Sequence, residues 1–182
     1  MALTLGVNSG FVTTAPVSAP TAAGTPTIDG SSMVTKDTTS STPMRITSIG
    51  WYRSAGTNGA NFQIGLYSDS AGVADALLSV DATNSSTSTG WITVAVNWSI
   101  SPSTPYWLAL QMDAHTGTSL FPRDISGGSG FDILTAQTTL NNPYGGGTVA
   151  QPTGMAAMYA LVEPLFSPAW GAKATTIIGG AF

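Results

Sequence analysis

The only histidine of this chain, His115, sits two residues after Asp113 and four before Ser119. Those three side chains are the residue types of acid–base and nucleophilic chemistry. A working triad needs the acid, base and nucleophile to converge beside an oxyanion donor. Here they fall within one short stretch at the end of a predicted strand, where successive side chains point to opposite faces. No Gly-x-Ser-x-Gly elbow accompanies them. The expectation is a polar loop and a protein that is not an enzyme. The chain has no cysteine, which removes thiolate catalysis, disulfides and Cys-ligated zinc together. Gly127-Gly128-Ser129-Gly130 and Gly145-Gly146-Gly147 lack the lysine and following helix of a phosphate-binding loop.

Asp69, Asp75 and Asp81 bracket one predicted hairpin, and Asp113, Asp124 and Asp132 flank later loops. Calcium takes roughly six to eight oxygen ligands. The aspartate spacing matches no calcium loop, and an Asp that opens a turn already caps backbone amides. No metal and no cofactor are therefore expected. The aromatic residues give a stronger binding signal. Tyr52, Tyr67, Trp107 and Tyr144 fall in phases or loops that would expose them, whereas Trp51, Trp91 and Trp98 look like core. Flat rings facing the C–H faces of a pyranose, with amides orienting its hydroxyls, make a sugar site. The loop Asn141-Asn142-Pro143-Tyr144-Gly145 has that composition. The glycan-binding candidates are thus Tyr52, Tyr67, Trp107, Asn141, Asn142 and Tyr144. The competing reading places the same rings inside a sandwich or a subunit interface.

Short strands are the elements that must position these residues. Phe62, Ile64 and Leu66 alternate with Gln63, Gly65 and Tyr67, and the turn Asp69-Ser70-Ala71-Gly72 leads to a strand near Leu77–Val80. Trp91–Val96 is rich in β-branched residues, and Trp98 and Ile100 continue it. Ser101-Pro102-Ser103-Thr104-Pro105 is a turn, after which Tyr106, Leu108, Leu110 and Met112 alternate with Trp107, Ala109 and Gln111. Met44 and Ile46 keep one phase and Ile49 and Trp51 the other, which predicts a bulge near Ser48. Further strands are expected at Thr118–Phe121, Phe131–Leu134 and Met155–Val162. No capped amphipathic helix of ten residues is present. The expected fold is all-β: an antiparallel β-sandwich, most simply a jelly roll, with extended N- and C-terminal arms. Residues 1–26 read as the N-terminal arm, 27–163 as the sandwich and 164–182 as a C-terminal extension.

Charge is scarce. Only 14 of the 182 residues are Asp, Glu, Lys or Arg, while 21 are Ser and 26 are Thr. The net charge is −4 and the five cations are scattered, so the clustered basic face that nucleic acid requires is missing. No apolar run reaches the ~20 residues of a membrane-spanning helix. The opening MALTLGVNSGFVTTAP lacks the basic region and long apolar core of a signal peptide. Neither a nucleic-acid nor a membrane partner is expected. A neutral, hydroxyl-rich surface gives little of the repulsion that keeps proteins dispersed, and it suits packing against copies of itself. Phe11 in the first arm, and Phe166, Trp170 and Phe182 in the last, are the candidate subunit-interface anchors.

Ile49-Gly50-Trp51-Tyr52, Phe62–Gly72, Gly90-Trp91 and Tyr106-Trp107-Leu108-Ala109-Leu110 together resemble β-sandwich modules of tailed-phage structural proteins and of some bacterial surface proteins. The opening Met1–Thr13 is similar to small phage virion proteins. The resemblance covers about residues 44–112 and the first dozen. It implies a virion setting and a sandwich fold, and it transfers no catalytic residue. The resulting expectation is a non-enzymatic virion protein that decorates a capsid or builds a short appendage. It would be made in host cytoplasm and would partner itself, as a homo-oligomer such as a trimer, and other virion proteins. The alternative expectation is a receptor- or glycan-binding module that meets a host-surface glycan.

Overall fold

Alternation of apolar and polar residues makes a half-buried strand, and an apolar residue at nearly every position makes a strand buried on both faces. Both patterns occur here. The structure, a computed structural model, describes residues 1–21, 29–54, 60–82, 84–113, 123–124, 127–146 and 153–165. Its strands are β1 (Gly10–Val12), β2 (Ser31–Thr38), β3 (Met44–Arg53), β4 (Ala60–Ser70), β5 (Val73–Val80), β6 (Asn84–Ser86), β7 (Gly90–Ile100), β8 (Pro105–Asp113), β9 (Arg123–Asp124), β10 (Phe131–Thr135), β11 (Met155–Ala156) and β12 (Met158–Pro164). No helix occurs among the described residues. The predicted strand at Thr118–Phe121 lies outside them.

Two sheets face each other. One has the order β1-β12-β3-β7; the other runs β10-β2-β8-β4-β5, with β6 also pairing on β4, and β9 and β11 form a separate ribbon. Every pairing is antiparallel except β1 with β12, which is parallel. The expected antiparallel β-sandwich is the observed architecture. Its main core lies between the sheets: Ile46, Ile49 and Trp51 from β3 and Met158, Ala160 and Val162 from β12 meet Phe62, Ile64, Leu66, Leu108, Leu110 and Met112 from β4 and β8. The Trp51 ring meets Phe62 edge-on, with centroids 5.4 Å apart.

The irregularity predicted near Ser48 is present. Ile46 pairs with Val162 and Trp98, but Ser48 pairs with Leu161 and Ala95, so the register slips at Thr47 against both neighbours. That slip lets Ile46 and Ile49 both point inward at full burial. The β4–β5 hairpin closes through Ala71 and Gly72, both at positive φ (53° and 89°). This is the two-residue turn whose twist matches that of paired strands.

The sequence did not suggest β1 or β2. Ser31-Ser32-Met33-Val34-Thr35-Lys36-Asp37-Thr38 has the composition of a loop, yet β2 pairs on both edges, with β10 and β8. Its small hydroxyl residues are what a strand with two buried faces can accommodate. Met33 enters the main core, Val34 enters a second cluster on the opposite face, and the Thr35 hydroxyl accepts the Ala156 N–H at 3.2 Å.

Each sheet is covered on its outer face as well. The N-terminal segment lays Leu3 and Leu5 against Tyr52 and Trp91 of the four-stranded sheet and against Met155 and Ala157 just before β12. Residues 136–146 lay Leu140 and Tyr144 on the six-stranded sheet. Two glycines permit this close layering. Gly65 on β4 lets the Leu140 side chain approach to within 2.6 Å of where a Cβ would stand. Gly50 on β3 lies beneath the ring of its cross-strand neighbour Tyr159. Gly50→Ala drives a methyl into that ring, and overpacking of this kind costs about 1–3 kcal/mol. Urea unfolding at neutral pH measures the loss; an unchanged midpoint would contradict the packing described.

Candidate functional site

The rings put forward for sugar binding are where the structure departs furthest from expectation. Tyr67, Trp107 and Tyr144 are 0%, 3% and 1% exposed. They do not face solvent; with Val34, Ala74, Ala109 and Leu140 they form the second core cluster, beneath the 136–146 segment. Tyr67 and Tyr144 meet edge-on at 5.4 Å. Trp107 does lie on the opposite face of β8 from Leu108, as alternation requires, but that face carries a further layer. The correction therefore concerns the layer, which strand periodicity cannot reveal.

The amides of the same loop serve as fasteners. Tyr67 donates its hydroxyl proton to the Asn141 carbonyl at 2.6 Å, and the Asn142 Oδ1 accepts the Leu77 N–H at 3.1 Å. Gln63 Oε1 accepts the Leu140 N–H, and Gln111 Nε2 donates to the Gln137 carbonyl, each at 3.0 Å. Tyr144 donates to the Ser32 carbonyl at 3.2 Å. Burial pushes the hydroxyls of Tyr67 and Tyr144 well above the ordinary tyrosine range, which holds both as neutral donors.

Lys36 and Asp69 close the rim of this cluster. Their side chains pair at 2.8 Å, the Lys36 ammonium stands 5.7 Å from the centre of the Trp107 ring, and Trp107 Nε1–H donates to Asp69 Oδ1 at 2.9 Å. Burial alone would raise the Asp69 pKa, but hydrogen bonds from Lys36, Trp107 and the Gly72 N–H, with the Lys36 charge, hold it below the usual carboxylate range. Asp69 is thus a buttress for Trp107.

Tyr52 is half-buried on the outer face of the four-stranded sheet, edge-on to Trp91 at 5.3 Å, and Trp91 is edge-on to Tyr159 at 5.2 Å. Trp91 was expected in the core; it lies instead beneath the N-terminal segment and donates Nε1–H to the Ser18 carbonyl at 3.1 Å. Trp98 packs at the half-buried rim of the main core. Phe11, expected to anchor a neighbouring subunit, packs within its own chain, edge-on to Tyr106 at 6.3 Å. The segment read as an N-terminal arm contributes β1 to the four-stranded sheet of its own chain. Phe166, Trp170 and Phe182 lie outside the described residues, as do His115 and Ser119.

Arg53 is a residue that sequence reasoning overlooked. It is fully buried at the end of β3, donating Nε–H to the Ser88 carbonyl at 2.7 Å and Nη2–H to the Ser86 carbonyl at 3.1 Å. It ties the 84–90 segment to the core. The only signal was its position at the end of a strand ladder of apolar residues. Asp113 ends β8 opposite Asn61, and Asp81 accepts from the Asn84 amide at 2.9 Å. Among the described residues no three His, Asp or Glu side chains converge on one point.

Two clefts among the described residues lie along the N-terminal segment. One cleft of about 320 Å³ is lined by Met1, Gly6, Val7 and residues 13–18. Beside it, a cleft of about 340 Å³ is lined by Leu5, Phe11, Asp37, Thr38, Met44 and Val162, among others. Asp37, on β2, accepts the Phe11 N–H at 2.8 Å and so fastens β1 across the sandwich edge. Gly10, at φ +71°, leaves the room that this carboxylate occupies. Comparison with protein-family models, curated proteins and solved structures gives no match.

Two outcomes test this geometry. Tyr144→Ala empties a core position and costs about 3–5 kcal/mol in unfolding free energy; a loss below about 1 kcal/mol would mean that the ring is not buried. Burial raises the Asp37 pKa more than the Phe11 and Thr38 N–H bonds lower it. Its contribution is therefore full below the unfolded carboxylate value of about 4 and is lost as pH rises through the elevated native value. Asp37→Asn flattens the stability–pH curve just above about pH 4, relative to the native chain. Parallel curves for the two proteins would contradict the assignment.

Proposed function

We propose that this chain is a non-enzymatic structural subunit that assembles into a larger particle. The virion of a tailed phage is the best-fitting setting, as a capsid-decorating or short-appendage protein. The observation that carries the reading is the N-terminal surface. Met1, Val7 and Val17 stand at 53%, 48% and 91% exposure around one cleft, on a protein with 14 charged residues. Contiguous exposed apolar groups on a surface poor in charge are the mark of a face that another protein covers. A neighbouring subunit of the same particle is the occupant that this chemistry fits.

The strand order adds support of a coarser kind. With β6, β9, β10 and β11 set aside, β1-β12-β3-β7 facing β2-β8-β4-β5 follows the order of a jelly roll, apart from the parallel direction of β1. We read the fold as a variant of that architecture, which viral capsid proteins use; lectins use it too, so the likeness is one of fold alone. The glycan-binding alternative is weaker than the sequence suggested. Three of its rings are buried, and its two asparagines fasten their loop to the sheet, Asn141 through its carbonyl to Tyr67 of β4 and Asn142 through its side chain to Leu77 of β5.

Density-gradient fractionation of particles from producing cells, probed with an antibody to this chain, tests the reading. The protein is expected to sediment with particles. Val17→Asp, which places a charge on the apolar face, is expected to lower its incorporation at least about tenfold, the effect of roughly 1.4 kcal/mol. Recovery of the native chain only as free protein would overturn the proposal.

A further inference from the structure

Among the described residues, the two sheets end at β1 and β7 and at β10 and β5, and these outer edges are not alike. The β1 edge is three residues long, and its Phe11 N–H is taken by Asp37. The β10 edge spans five residues and carries Asp132. The β5 edge is broken by two register shifts against β4 and carries Asp75. Short length, charge and bulges are the devices by which edges avoid pairing with other chains.

The β7 edge is different. Gly90–Ile100 runs for 11 residues with no proline and no charged side chain. One edge pairs with β3; among the described residues no strand pairs with the other. Thr93, Ala95, Asn97 and Ser99 alternate outward and are exposed. Val94, Val96 and Trp98 point inward and pack against the main core, yet each stays only half-buried. Among the described residues, the core is therefore unfinished along this edge, and no strand takes up its outer backbone N–H and C=O groups.

We propose that this edge pairs with the β7 strand of a second copy, antiparallel, about a two-fold axis through Ala95. The strand that completes it must carry apolar residues on its inward face and small uncharged residues outward, and β7 itself meets both requirements. In this register Thr93 faces the partner's Asn97, Val94 faces the partner's Val96, and Ile92 faces the partner's Trp98. All three half-buried core residues are then covered, and the two four-stranded sheets become continuous. The one register shift of β7 against β3, at Val96 and Asn97, lies next to the axis, so the regular Trp91–Ala95 half of each strand faces the partner's Ala95–Ser99 half, which carries the shift. No like charges meet across the axis, and an isologous contact of this kind closes as a dimer. The inference deepens the assembly reading above and rests on it for the choice of a second copy as partner.

Because the chain has no cysteine, single replacements report the register directly. Ala95→Cys and Ser99→Cys are purified and treated with an oxidant or a short bis-maleimide, and the masses of the native chain and Ala95→Lys are measured by light scattering across a concentration series. The native chain is expected to be a dimer. Ala95→Cys is expected to cross-link as a dimer, while Ser99→Cys does not, because its two copies lie on the order of 25 Å apart along the paired strands. Ala95→Lys, exposed and outward-facing, is expected to weaken the dimer at least tenfold with an unchanged circular dichroism spectrum. A monomer at every concentration overturns the proposal. So does an oligomer whose Ala95→Cys variant fails to cross-link, or whose two cysteine variants cross-link alike. The first of these results leaves the particle assignment to the gradient experiment; the others refute the β7 edge while leaving self-assembly standing.

Discussion

The structure depends on covering both faces of both sheets. A two-layer sandwich buries one face per strand and leaves the other wet. Here the N-terminal segment and residues 136–146 supply additional layers, so β8 has consecutive buried residues from Tyr106 to Met112. A strand with two dry faces needs every polar group paired, because an unpaired buried donor or acceptor costs about 1–3 kcal/mol. Serine, threonine and the side-chain amides meet that demand with small groups that fit between layers. Thr35 to Ala156, Gln63 to Leu140 and Tyr144 to Ser32 are such bonds, each joining one layer to the next.

This constraint also gives a physical account of the charge-poor composition. Lysine and glutamate are costly in a strand with no wet face, and most of the strands have at least one side fully dry. Several of the charges that remain act as fasteners. Asp37 fastens β1, Lys36 and Asp69 close the rim over Trp107, Arg53 holds the 84–90 segment through carbonyls, and Arg45 pairs with Glu163 at the surface. With only 14 charged residues in all, little is left to keep molecules apart. The same economy that closes the outer layers thus favours association at whatever apolar surface stays open.

The outer layers carry a functional consequence as well. Aromatic residues that would make a sugar platform on a two-layer sandwich become structural when a third layer covers them. Among the described residues the N-terminal clefts and the β7 edge stay open. Both have the shape and chemistry to take an extended chain or another subunit.

What could be read from the sequence was local. The period-two pattern located β4, β7, β8 and β12, the Ala71-Gly72 turn, and the slip near Ser48, because each is set by side-chain alternation or by the φ preference of a few neighbouring residues. The class of fold followed from their number and spacing. The sequence alone also set the poverty of charge and the lack of thiol chemistry. The tertiary structure decided the rest. Ser31–Thr38 becomes a central strand only because neighbours bury both its faces, and no period within it announces that. Tyr67, Trp107 and Tyr144 are buried because a segment some seventy residues beyond Tyr67 folds over them. Burial is a property of what arrives from elsewhere in the chain; periodicity assigns a residue to a face, and only the assembled layers determine whether that face meets water.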